Sequence, residues 1–133
     1  MHILRINTKK KQEIIEITSL VKDIVKKAKI DSGICVVYVP HATAAIIVNE
    51  NYDAALNEDI IKRLEKLVPS NADYRHDRID NNAHAHIKAS ILGPSETIII
   101  KDGELRLGRW QGIALCEFDG PRERDVYVEI IKK

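Results

Sequence analysis

The stretch Asp80–Gly93, DNNAHAHIKASILG, decides how the rest of the chain is read, because it places two of the five histidines, His84 and His86, in a segment that begins and ends like a helix. Asp80 suits an N-cap, Ala83, Ala85 and Ala89 are strong helix formers, and Gly93 followed by Pro94 stops a helix, so one is expected over Asn81–Leu92. That reading fixes geometry. Side chains two apart on a helix point about 200° apart, whereas on a strand they share a face. On the helix His84 shares a face with Lys88, and His86 with Asn82 and Ser90, so the two rings diverge. On a strand they would be a ready pair of metal ligands.

Upstream, Ile3–Ile6 and Glu13–Ile17 flank the polar Thr8-Lys9-Lys10-Lys11 turn and read as an opening hairpin. A helix follows, capped by Thr18 or Ser19, with Leu20, Val21, Ile24, Val25 and Ala28 at helical spacing. Ile34–Val39 and Thr43–Val48 read as strands around Pro40-His41-Ala42. Leu56, Ile60, Leu64 and Leu67 define a second helix that ends near Pro69, and a polar loop, Ser70–Ile79, leads to the central helix. Downstream come Thr97–Lys101, an Asp102-Gly103 hairpin turn, Leu105–Leu107, Ile113–Phe118 and Asp125–Ile131. The order ββαββααββββ leaves too few residues between most strands for repeated crossover helices. It predicts a single α+β domain over residues 1–133, mainly an antiparallel sheet or sandwich core with about three helices.

The composition excludes several classes of function. With 133 residues, 44% of them hydrophobic, one core is expected, burying roughly two thirds of the unfolded surface. A net charge of +1 supplies no field for nucleic acid or an anionic membrane, and one Trp, four Tyr and one Phe are few for stacking on bases. No apolar run reaches membrane-spanning length and Met1–Lys11 lacks the apolar core of a signal peptide, so a cytoplasmic location is expected. Cys35 and Cys116, each inside an apolar stretch, read as buried thiols.

His41 sits in a turn between two strands, where a sheet end presents binding groups; the other reading is an ordinary turn histidine. Asn49 and Glu50 close the second of those strands and join His41 only if the pairing brings those ends together. His76 stands alone in its loop. Imidazoles from three separate segments are the usual way to hold a first-row metal with a position left open. In LGRWQGIALCEFDGPRER, Leu107–Arg124, Trp110 reads as a core or interface anchor, with a stacking platform as the alternative. The Asp119-Gly120-Pro121 turn delivers Arg122 and Arg124, with Arg109 near, either to an anion or to a surface salt-bridged with Glu117, Asp119, Glu123 and Asp125.

PHATAAIIVNEN, DNNAHAHIKASILG and LGRWQGIALCEFDGPRER resemble, in order and spacing, the YjbQ family of small proteins. The resemblance implies a compact α+β fold, a homotrimer, and an activity linked to thiamine-phosphate synthesis. It points to His41, Asn49, Glu50, His76, His86, Trp110, Gln111, Glu117 and Arg122. On that basis Glu50, Glu117 and Gln111 are expected to be catalytic, His41, His76 and His86 to hold a divalent metal, and Asn49 and Trp110 to contact substrate. Joining a pyrimidine methyl pyrophosphate to a thiazole phosphate is largely anion handling, which Arg122, Arg124 and Lys88 would serve. Imidazoles favour Zn²⁺ over Mg²⁺, which prefers oxygen. The expected partner is a small phosphorylated metabolite, and a non-enzymatic metal or ligand-binding protein and a metal-dependent phosphoester hydrolase are the alternatives. The chain departs from the pattern at Ala42, where Thr is frequent, and at Arg109, where a small Thr is usual.

Overall fold

Alternating burial along the strands shows where each sheet points. The computed structural model describes residues 1–50 and 52–133. These form β1 (His2–Asn7), β2 (Glu13–Glu16), α1 (Thr18–Ala28), β3 (Gly33–Tyr38), β4 (Ala44–Glu50), α2 (Ala54–Leu67), α3 (Ala83–Leu92), β5 (Ser95–Lys101), β6 (Glu104–Leu105), β7 (Gln111–Glu117) and β8 (Glu123–Lys132), with a 3-10 turn at Arg75–Arg78. The strands make two antiparallel sheets, β1-β8-β3-β5-β6 and β2-β7-β4. On β7, Ile113 and Leu115 pack with Cys35, Val37, Val126 and Val128 of the larger sheet and Val21, Ile24 and Val25 of α1. Cys116, one step out of phase, packs instead with Ala45 and Phe118 against Leu64 of α2 and Ala85 and Ala89 of α3. The small sheet is therefore covered on both faces. The large one is not: its outer face carries Ile3, Tyr38, Ile99 and Ile131, which are 41–63% exposed.

The order of elements and the α+β class agree with the sequence reading; the opening hairpin does not. β1 pairs with β8 and β2 with β7, so the Thr8–Gln12 connection crosses from one sheet to the other. The β3–β4 and β7–β8 connections make the same crossing. The cap also differs. α3 starts at Ala83 with Asn82 at its N-cap, and Asp77 Oδ1, six residues upstream, accepts from Ala83 N at 2.9 Å. Asp80 takes no such part, because Asn81, at φ 54°, turns the chain before the helix begins. At the other end Gly93, at φ 94°, stops the helix as expected. Asp102 and Gly103, at φ 54° and 78°, make the β5–β6 hairpin turn.

Candidate functional site

The three crossings meet at one end of the sandwich, where a buried polar network joins them. Glu117 and Arg124 project inward from β7 and β8 and are fully buried. Arg124 donates from Nε and Nη2 to the Glu117 carboxylate and from Nη2 to Thr43 Oγ1 at 2.7 Å. Glu117 also accepts from Thr8 Oγ1 at 2.8 Å and Asp119 N at 3.1 Å. These two residues are thus committed to each other. Arg124 is not an open anion ligand and Glu117 is not positioned as a catalytic acid, because burying either charge requires the other. Lys88 is corrected likewise. Its Nζ is buried and donates to Glu65 at 2.7 Å, Gln12 at 3.1 Å and His84 Nδ1 at 2.9 Å, which uses all three of its N–H groups.

Above this network lies Asp119. Its Oδ1 accepts from Lys11 Nζ at 2.7 Å, and its Oδ2 from Arg122 Nη2 and Asn82 Nδ2, both at 2.9 Å. Arg122 Nε adds a 2.8 Å bond to the Asp119 carbonyl. The Asp119 side chain is only 8% exposed, against 63% for Lys11 and 49% for Arg122. Burial pushes its carboxyl upward, and the bonds from Lys11 and Asn82 outweigh that and hold it below its ordinary value. Gly120 permits the close approach of the crossings: a Cβ there would lie 2.3 Å from Lys10 O and 2.8 Å from Thr8 Oγ1.

His41, His76, His84 and His86 separate into three environments. His84 is buried against Lys88, and burial, then the Lys88 charge, lower its pKa. His41 Nε2 accepts from Asp125 N at 2.9 Å, so its proton sits on Nδ1, and burial followed by the Arg124 charge keeps it neutral. His76 and His86 do meet, with ring centroids 4.8 Å apart and planes at 83°. His41 does not join them. Among the described residues no three His, Cys, Asp or Glu side chains form a metal-holding group.

Asn49, Glu50, Trp110 and Gln111 lie elsewhere. Ala44 pairs with Glu117 near the crossings and Glu50 with Gln111 at the far end of the same strands, about 20 Å away at 3.3 Å per residue. There Trp110 is half exposed rather than in the core, edge-to-face with Tyr52 at 5.1 Å. The Arg109 guanidinium lies 4.9 Å from the Trp110 ring centre. Gln111 Oε1 accepts from Gly108 N at 2.7 Å, closing a turn. A groove of about 480 Å³ between α1 and the β5–β6 turn, lined by Lys22, Lys26 and Leu105 among others, contains none of the expected site residues.

The model of the UPF0047 protein YjbQ-like family matches residues 2–133. The chain belongs to this family. Among YjbQ relatives, the UPF0047 protein of Methanocaldococcus jannaschii is 48% identical over 127 residues, covering 96% of this chain and 91% of the relative. YugU of Bacillus subtilis is 40% identical, covering 96% of each. Among solved structures, an uncharacterized YjbQ/UPF0047 protein from Clostridium acetobutylicum superposes with a TM-score of 0.95 at 46% identity, covering 98% of this chain and all of that one. A YbjQ-like protein of unknown function from Sulfolobus solfataricus gives 0.96 at 39% identity, covering 99% of this chain and 96% of that one. The YjbQ relatives therefore share the whole fold and leave the activity open. Thr8, Lys11, Thr43 and Asn82 have no site role in the reading of the sequence, and Asp119 enters it only as a salt-bridge partner of the arginines, a pairing it makes with Arg122. For Glu117 and Arg124 a signal existed: they continue the inward phase of Ile113-Leu115 and of Val126-Val128.

Proposed function

We propose that this YjbQ-family protein is an enzyme acting on a small phosphorylated metabolite, with Arg122 binding phosphate and His76 and His86 contributing ligands to a divalent metal, zinc in preference to magnesium. One observation carries the reading. Arg122 is fixed along one edge by Asp119 and keeps its other N–H groups at a half-exposed surface, and Asp119 is tied to Asn82, one helical turn before His86. A bound metal would polarise a phosphoryl oxygen. Arg122 would hold the phosphate of the metabolite, as the thiazole phosphate of a thiamine-phosphate synthase-like transfer requires. Two imidazoles favour Zn²⁺ on ligand type and are one short of the usual three, which leaves a ligand to be supplied by an assembly.

The expected residues lie at two ends of one chain, which supports an assembly that brings them together, and we include a homotrimer in the proposal. The outer face of the large sheet gives it a surface: Ile3, Tyr127 and Tyr38 form one cross-strand row, and Ile131, Ile34 and Ile99 another. Apolar rows of this kind mark interaction surfaces. A second functional reading, a metal or ligand binder without turnover, is favoured by the burial of Glu117 and the distance of Glu50, which leave neither carboxylate beside the histidine pair. Metal analysis with turnover of a panel of phosphate esters and pyrophosphates decides between them. Zinc-dependent release of phosphate or pyrophosphate is expected; stabilisation by ligands with no turnover would establish the binder.

A further inference from the structure

Resting on the assignment of Arg122 to phosphate, we propose that Lys11 and Arg122 form a clamp for a single phosphoryl group, organised by the buried Asp119 carboxylate. Lys11 is then a ligand contact and the ligand is a phosphomonoester. The two cations come from different crossings and meet only through the fold. Each is fixed at its backbone: Thr8 N donates to Arg122 O at 2.9 Å, Arg122 N to Thr8 Oγ1 at 2.9 Å, and Gly120 N to Lys11 O at 3.0 Å. Each is fixed again at its tip by Asp119. Lys11 then has two N–H groups free of Asp119 and Arg122 three, all on partly exposed side chains.

The spacing selects the ligand. One carboxylate binds both cations from inside, Lys11 at Oδ1 and Arg122 at Oδ2, and a tetrahedral phosphoryl group, whose oxygens are spaced much as a carboxylate's are, is the anion that would take their remaining N–H groups. Two cations on one carboxylate leave a net single positive charge, which suits one phosphoryl group and provides no second subsite for a diphosphate. Arg124 and Lys88 are excluded from the clamp by their own bonding. The rival account is a surface ion triad that concentrates loose positive charge. The two differ in sign at Asp119: its removal adds net positive charge, which strengthens a loose attraction, but it frees both cations, which weakens a positioned clamp.

Calorimetric titration of the full chain with methyl phosphate, inorganic phosphate and pyrophosphate tests this, using wild type, Lys11→Met, Arg122→Gln and Asp119→Asn. Wild type is expected to bind methyl phosphate and pyrophosphate with similar affinity, and each substitution to weaken methyl phosphate about tenfold or more. If wild type binds none of the three, the anion site at Arg122 falls and the clamp with it. If Arg122→Gln weakens binding and Lys11→Met does not, the Arg122 site stands and the clamp is wrong. Tighter binding by Asp119→Asn overturns the positioning role, and tenfold preference for pyrophosphate overturns the phosphomonoester assignment. Circular dichroism checks the fold of Asp119→Asn; should that variant not fold, Lys11→Met and the pyrophosphate comparison still decide, since Lys11 is a surface side chain.

Discussion

Arg122 and Arg124 are two residues apart, and only one is open to solvent. Arg124→Ala leaves the Glu117 carboxylate buried and unpaired, so it should destabilise the fold by about 3–5 kcal/mol, read from urea unfolding. Arg122→Ala should cost far less stability and instead weaken phosphate binding by about 1.5–3 kcal/mol, seen as a lost ligand-induced shift in melting temperature. Equal losses in both measurements would make Arg122 structural. The sequence showed that arginines gather here but not which one is free, because charge type alone does not report depth. Strand phase does: Arg124 shares the parity of Val126 and Val128, and the opposite charge that makes its burial tolerable is Glu117, in phase with Leu115 on the facing sheet. Asp119 lies in a turn with no period; only its pairing with Arg122 is local, and Lys11 and Asn82, which complete its surroundings, come from distant segments that no spacing in the sequence connects to it.

Among the elements, α3 was the most legible, since Ala content and Gly93-Pro94 set its existence and its 3.6-residue period sent His84 to Lys88 and His86 away from both. Its start was not legible, because the capping carboxylate comes from Asp77 across a turn. If His76 and His86 hold zinc, His86→Ala should abolish stoichiometric binding, while His84→Ala should retain zinc and lose stability. Equal zinc loss in both variants would move the site elsewhere. The tie from α3 to α2 also predicts a pH response. Burial raises the Glu65 carboxyl, but bonds from Lys88, Ser70 and Gln12 bring it down to about 2 from an ordinary 4.5. A depressed carboxyl contributes fully above its unfolded value, so this contribution is present above pH 4.5 and lost as pH falls toward 2. Urea midpoints should therefore drop less between pH 5 and pH 3 in Glu65→Gln than in wild type, by a margin that solvent screening of this partly exposed carboxylate keeps small. Identical slopes would show that the tie carries no pH dependence.

At the scale of the molecule, the elements were readable from periodicity and the partnerships were not. A short polar turn between two strands looks the same whether it closes a hairpin or crosses between sheets, and the three crossings that meet at the polar network were hidden in this way. No helix of the described residues is long and apolar enough to span a membrane, and the large apolar surface is instead the outer face of a sheet. Light scattering should give a trimer, and Ile99→Lys combined with Ile131→Glu should give a folded monomer; a wild-type monomer at micromolar concentration would remove the assembly. β8 bears a different consequence. It lies between β1 and β3, so two strands made early in synthesis are joined only by one made last. Until it emerges from the ribosome, both carry bare hydrogen-bonding edges, one of them the apolar β3. A nascent chain that stalls after β7 should therefore recruit other chains into aggregates, and a synthetic peptide of Glu123–Lys132 supplied in trans should keep it soluble.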